Sequence, residues 1–251
     1  MIIRVDHNEA APGSVNMELD LAMLNEVRTG AADIVFRTYT WDPWCVSLGR
    51  HQSIDAINAD ACASAGIDIV RRPTGGRAVL HANELTYGFA AKLSIALTPQ
   101  IAYSLLHQAL FAALAPHVSQ LAFSGIPTDL RTHYASTGVL GQVCFTSHAR
   151  SEIMCGTRKV VGSAQRVIDG FVLQHGSILC GPGHERIADL LLCEEAERSH
   201  LQNEIERSSV TLSDITNTTV TADDVVLWFT EDEVDIGTHI RRSFQSLPTT
   251  A

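Results

Sequence analysis

Arg71-Arg72-Pro73-Thr74-Gly75-Gly76-Arg77-Ala78-Val79-Leu80-His81 is the most densely punctuated stretch of the chain. Ile67 to Val70 before the glycines and Ala78 to Leu80 after them look like short strands, so the segment reads as two strands flanking a Gly-containing turn. Paired glycines let a backbone come close to a ligand and aim its amides inward, and the three guanidiniums beside them suit an anion such as a phosphate or carboxylate. A solvated turn rimmed by arginine has the same pattern, so this stretch alone leaves both readings open.

Upstream, Asn16 to Arg28 sets Met17, Leu21, Leu24 and Val27 at helical spacing behind the possible caps Ser14 and Asn16. Asp33 to Tyr39 and Cys45 to Gly49, parted by Trp41-Asp42-Pro43-Trp44, read as paired strands. Asp55 to Ala65 is Ala-rich and stops at Gly66, which predicts a helix. Downstream, Glu84 to Leu93 continues as a strand, and Ile101 to Val118 after Pro99 predicts a long core helix. Thr137 to Phe145, Glu152 to Cys155, Arg158 to Arg166 and Gly170 to Leu179 form a strand-rich stretch with turns at Gly156-Thr157 and Asp169-Gly170, the latter a hairpin signal. His184 to Cys193 and the segment after Thr221 read as helices, and Glu194 to Ser209 between them as a charged, mobile stretch. Hairpin strands with irregularly interspersed helices indicate an α+β fold with a mixed or largely antiparallel sheet.

A chain of 251 residues is long enough to bury a sizeable core without staples. Its net charge of −10 excludes a broad non-specific nucleic-acid surface, so an anionic partner has to meet a local basic cluster. Lys and Arg together number 18, and only Lys92 and Lys159 are lysine. Cys45, Cys62, Cys144, Cys155, Cys180 and Cys193 include no CxxC pair, so they read as reduced thiols of a cytoplasmic protein, with no zinc knuckle and no dense disulfide framework. The start carries no apolar signal core and no run approaches a membrane span.

Cys144 and Lys159 are the pair that could carry chemistry. A thiol attacks only as thiolate, which a neighbouring ammonium favours, so the two form an activated nucleophile if strands bring them together. The bland alternative is that Cys144 is a small buried hydrophobe, and Cys155 is a rival because it too lies close to Lys159 in sequence. His175, in Gln174-His-Gly-Ser177, reads first as a structural strand histidine.

Taken in order, Asn16-Met-Glu-Leu-Asp20, Val46-Ser-Leu-Gly-Arg50, Arg71 to His81, Asn83-Glu-Leu-Thr-Tyr87, Arg158-Lys-Val-Val-Gly-Ser-Ala-Gln165 and Leu173-Gln-His-Gly-Ser177 resemble the signatures of the lipoate–protein ligase, octanoyltransferase and biotin–protein ligase catalytic-domain family. The resemblance covers nearly the whole chain. It implies the α+β fold of class II aminoacyl-tRNA synthetases and biotin synthetases, a mixed, mostly antiparallel sheet flanked by helices, in one catalytic domain spanning 1–251 with a C-terminal helical part at about 210–247. Arg77 stands where the ATP-dependent ligases usually carry a third glycine, no length remains for their accessory domain, and Cys144 sits in Val-Cys-Phe. These features are similar to the cysteine-dependent octanoyl-[acyl carrier protein]:protein N-octanoyltransferases.

In that branch the residue matching Cys144 carries the acyl-thioester and the one matching Lys159 lowers its pKa. The resemblance places substrate binding on Arg72, Gly75, Gly76, Arg77, His81, Gly162, Ser163, Ala164, His175 and Gly176, with an apolar tunnel for the acyl chain. It implies octanoyl-acyl carrier protein as donor, and as acceptor a lipoyl-domain protein such as the glycine cleavage H protein or a 2-oxoacid dehydrogenase E2. A thioester is already activated, so no cofactor, ATP or metal is called for. After the cysteine the chain departs from the branch: it reads Phe145-Thr-Ser-His-Ala-Arg150 where an acidic residue and Pro-Ser are usual. The alternatives are an ATP-dependent lipoate–protein ligase, a lipoyl-protein amidotransferase and a non-catalytic acyl-binding module.

Overall fold

The computed structural model describes residues 1–124, 152–231 and 235–247. In chain order its strands are β1 Ile3–His7, β2 Ile34–Tyr39, β3 Cys45–Leu48, β4 Asp68–Arg71, β5 Val79–His81, β6 Glu84–Lys92, β7 Ala122–Ser124, β8 Glu152–Cys155, β9 Arg158–Lys159, β10 Val161–Ile168 and β11 Phe171–Leu179. Its α-helices are α1 Gly13–Thr29, α2 Ala59–Ser64, α3 Pro99–Leu114, α4 Glu195–Ser208, α5 Leu212–Thr216, α6 Ala222–Thr230 and α7 Ile236–Gln245. The expected strand at Thr137 to Phe145 lies outside the described residues.

Asp169 and Gly170 both take positive φ, +51° and +84°, the geometry a two-residue hairpin turn with the native strand twist requires. They set β10 antiparallel to β11 with Ile168 opposite Phe171 and Ser163 opposite Gly176. β11 pairs antiparallel with β6, β6 with β2, and β2 parallel with β1, giving the order β1-β2-β6-β11-β10. Two three-stranded sheets flank it, β4-β3-β5 and β7-β8-β9. The architecture is α+β with a mixed, mostly antiparallel main sheet.

Period-two alternation divides the main sheet into two faces. On one lies α1, whose Met17, Met23, Leu24 and Val27 are buried together with the polar Asn16 and Asp20. Tyr87, Phe89 and Phe36 point to the other, into one core cluster with Leu106 and Leu110 of α3, Phe229 of α6, and Ile240 and Phe244 of α7. Fully burying each of these large side chains is worth about 1.5–3 kcal/mol.

Four expectations are corrected. β2 and β3 are not partners: β2 joins the main sheet, while β3 pairs with β4 and β5, because the 41–44 turn carries the chain from one sheet to the other. Every residue of both strands is buried, so neither shows an alternation that would name its partner. The charged stretch at 194–209 is helix α4, opened by a reciprocal cap between Glu194 and Glu197 and anchored by buried Leu201 and Ile205, four residues apart. The Ala-rich helix is shorter than its composition suggests, beginning at Ala59 behind the Asn58 cap, and His184–Leu190 forms a 3₁₀ rather than an α-helix.

Candidate active site

Arg71 and Arg72, adjacent in sequence, part company where β4 ends. Arg72 is buried and its guanidinium donates to the carbonyls of Ser47 at 2.7 Å, Gly75 at 2.9 Å and Arg77 at 2.6 Å. It ties the Gly-Gly turn to β3. Arg77 is buried as well, whereas Arg71 is exposed and holds the carbonyls of Gly49, Arg50 and Gln52 through Nη1. The anion reading of this stretch thus loses Arg72 to backbone carbonyls. The turn itself is packed against loop 49–52: a Cβ on Gly49 would lie 1.9 Å from the Gly76 carbonyl oxygen, so only glycine fits the crossing. Gly76 in turn sits against the Arg72 guanidinium and 3.7 Å, at its would-be Cβ, from the Ala164 methyl of β10.

Behind the turn is a chain of buried polar groups on the α1 face. His81 Nε2 and Ser47 Oγ are 2.7 Å apart, and His81 Nδ1 meets Glu84 Oε1 at 2.7 Å while its ring stacks 4.1 Å from Trp41. Thr86 donates to Glu84 and accepts from Trp41 Nε1. His175 joins Thr74 Oγ1 at 2.8 Å and approaches Asp20 at 3.4 Å; Asp20 also pairs with Arg37 at 2.7 Å and accepts from the Tyr39 hydroxyl. Burial lowers the His175 pKa against the opposing pull of Asp20, which favours the neutral ring. Met17, Trp41, Arg72, His81, His175 and Gly176 are among the residues enclosing a cavity of about 10 Å³. That is room for a single water, not for an acyl chain.

On the opposite face, Ser163 Oγ meets the Tyr87 hydroxyl at 2.6 Å and His107 Nε2 at 3.0 Å, and Gln174 donates to Tyr87. Gly176, across from Ser163, keeps this close approach possible, since a Cβ there would lie 2.5 Å from Ser163 Oγ and 2.7 Å from the Gly162 carbonyl oxygen. Burial pushes the His107 pKa down to about 4, and the positive charge of Lys159 adds to the shift. Lys159 is buried and its Nζ lies 2.6 Å from Glu152 Oε1. Met154 stands opposite Lys159 and Cys155 opposite Arg158, so alternation puts Glu152, Met154 and Lys159 on one side of the hairpin and Cys155 on the other. Cys155 is thereby a poor rival as the partner of Lys159.

The structure therefore gathers Arg72, His81, His175 and Gly176 around the small cavity, lays Gly75, Gly76 and Ala164 against its Arg72 wall, and links Gly162, Ser163 and Lys159 through Gly176 and His107. Cys144 and the Phe145 to Arg150 departure lie outside the described residues. Glu152 and His107 are site residues that no motif in the sequence marks, and Tyr87 closes the Asn83–Tyr87 motif with no role of its own assigned there. The only signal for Glu152 was its place in an otherwise apolar short strand, two residues from Met154 and facing the lysine. A groove of about 660 Å³ beside Trp44, Asn83 and Pro182 contains none of the expected site residues.

Residues 12–232 match the model of the lipoyl protein ligase A/B catalytic domain. The chain is 38% identical over 200 residues to octanoyltransferase LipM of Clostridioides difficile, covering 77% of this chain and 71% of that one. It is 31% identical over 242 residues to octanoyltransferase LipM of Bacillus subtilis, covering 94% and 86%. Its fold is similar to a solved bipartite lipoate protein ligase of Thermoplasma acidophilum, with a TM-score of 0.67 at 17% identity, covering 98% of this chain and 93% of that one.

Proposed function

This chain belongs to the lipoyl protein ligase A/B catalytic-domain family, and from that premise we propose that it is an octanoyltransferase of lipoate biosynthesis, with residues 1–251 acting as one catalytic domain. The observation that carries the mechanism is the buried ammonium of Lys159, held 2.6 Å from Glu152 beside the His107–Ser163–Tyr87 cluster. Such a group is placed by its surroundings: Glu152 offsets part of its charge and fixes its position, and a thiolate beside it would share the ammonium's attraction. The nucleophile is Cys144. Among the described cysteines, burial raises the pKa of Cys45, Cys62, Cys180 and Cys193, with Cys180 at about 12, which makes them weak nucleophiles.

The reaction is two acyl transfers. The Cys144 thiolate attacks the carbonyl carbon of the octanoyl thioester on acyl carrier protein, and the carrier's thiolate leaves. The amine of a lipoyl-domain lysine then attacks the S-octanoyl enzyme, forms the amide and returns the Cys144 thiolate, with Lys159 taking part in passing the proton released by the amine to solvent, from which the departed carrier thiolate is protonated. Backbone amides near Ser163 and Ala164, or around Gly75 and Gly76, stabilise the tetrahedral oxyanion. The acceptor is a protein of the glycine cleavage H or E2 type. Burying the eight-carbon chain in an apolar tunnel gains about 0.8 kcal/mol per CH₂. No helix among the described residues is long and apolar enough to cross a membrane, and the described cysteines are free, which fits the reducing cytoplasm.

Incubation with octanoyl-acyl carrier protein followed by intact-mass analysis tests this. The wild-type chain gains one octanoyl group and Cys144→Ala gains none. An adduct that persists in Cys144→Ala refutes the nucleophile. Pyrophosphate release with free octanoate or lipoate, insensitive to that substitution, would point instead to an ATP-dependent ligase.

A further inference from the structure

Half of the described arginines meet an acid or the protein's own interior: Arg4, Arg28, Arg37, Arg198 and Arg207 are ion-paired, and Arg72 and Arg77 are buried. Where loop 49–52 crosses the Gly-Gly turn, three others gather. Arg71 holds three carbonyls of that loop through Nη1, and Arg166 of β10 reaches the Pro73 carbonyl at 3.0 Å, also through Nη1. The Arg50 amide donates to the Thr74 carbonyl at 2.9 Å, and its charge acts on Arg166, whose pKa is lowered by burial and then by Arg50. No described carboxylate lies within salt-bridge distance of these three. On a chain of net charge −10, that is a concentrated positive spot built from both walls of a close backbone crossing. Guanidinium forks with free N–H groups match the tetrahedral oxygens of a phosphate.

We propose that Arg50, Arg71 and Arg166 bind the phosphate of the pantetheine arm on which the donor carrier presents its octanoyl thioester. This rests on the octanoyltransferase reading and adds to it the group by which the donor is held. The geometry suits the arm. Ala164 and Arg166 are two residues apart on the same face of β10, roughly 7 Å along the strand, and the thirteen bonds between the phosphorus and the thioester sulfur span roughly 15 Å when extended, at the reach of an amide chain. A phosphate at Arg166 thus leaves the thioester within reach of Ala164 and of the Gly76 backbone packed against it. The spot is compact, which fits one phosphate better than the spread acidic face of a carrier protein.

Three octanoyl thioesters serve as substrates: of pantetheine, of 4′-phosphopantetheine and of acyl carrier protein. The phosphorylated small thioester is expected to exceed the phosphate-free one in kcat/KM by about tenfold or more, as a charge-assisted contact implies. Arg50→Gln and Arg166→Gln are each expected to lower that ratio several-fold and to flatten its dependence on salt. Arg50→Gln removes no backbone anchor, so its ratio is read on an intact fold. A ratio near one in the wild type, or one that neither variant changes, overturns the proposal. If the variants slow only the carrier-protein substrate, the cluster reads the protein surface and the phosphate assignment is likewise overturned. Failure of the wild-type chain to take octanoyl from any of the three would refute the octanoyltransferase reading itself.

Discussion

Replacing Glu152 by leucine leaves the Lys159 ammonium in its buried position without the carboxylate 2.6 Å away. Removing one partner of a buried ion pair costs about 3–5 kcal/mol, because the remaining charge stays desolvated and loses a counter-charge. An unfolding entropy of about 2.1 cal/mol/K per residue amounts to about 0.5 kcal/mol/K for a chain of this length, so the loss is expected as a Tm lower by about 6–10 °C. The double variant Glu152→Leu with Lys159→Met removes both charges at similar volume and is expected within about 1 kcal/mol of the wild type, or above it. Urea unfolding at pH 7 with calorimetry measures both. A single variant that loses less than about 1 kcal/mol, or a double variant no more stable than the single, refutes the description of this pair as a buried charge pair. Acyl transfer gives a second readout: the stable double variant is expected to be inactive, since the ammonium is gone while the fold remains.

Two further outcomes follow from the same face of the sheet and from the Gly-Gly turn. His107, with a pKa near 4 against 6.5 when unfolded, binds a proton more readily in the unfolded chain; its contribution is present above about pH 6.5 and lost as pH falls toward 4. Going from pH 7 to pH 5 is expected to cost about 2 kcal/mol through this one ring, and His107→Gln is expected to show a pH-dependent loss smaller by that amount in urea midpoints. Arg72→Lys keeps the charge but not the fork that spans the Ser47, Gly75 and Arg77 carbonyls. A loss of about 2–4 kcal/mol is expected by thermal unfolding, and a variant as stable as the wild type would show that those carbonyls do not depend on the guanidinium.

Local signals in the sequence were reliable where a residue had to do one geometric thing. Asp169-Gly170 named its hairpin, Thr221 capped α6 with Asp224 reciprocating, and Gly66 ended its helix region at positive φ. Partners were legible only where a turn enforced them. The all-buried β2 and β3 give no hint that they belong to different sheets, and α4 hides two anchoring residues, Leu201 and Ile205, among charges. At the site, motif residues from distant segments do converge, but adjacent arginines take opposite jobs, Arg72 inward and Arg71 outward, as soon as a strand ends between them. Glu152 and His107 became readable only when folding brought β8, β9 and α3 to one face.

Strand β9 has only two residues, and Lys159 is seated from a segment made much later: the Val210 amide donates to the Lys159 carbonyl at 3.0 Å, and Ser209 lies alongside in a β-bridge. The other site residues all precede that segment, and the core on the α3 face is closed by Ile240 and Phe244. During synthesis, which delivers the N-terminal side first, a nascent chain carries the glycine turn, the histidines and the lysine before it carries what fixes the lysine in place. Competence for chemistry is therefore acquired near the end of translation, and an incomplete chain that stops short of Val210 lacks the clamp that seats its lysine.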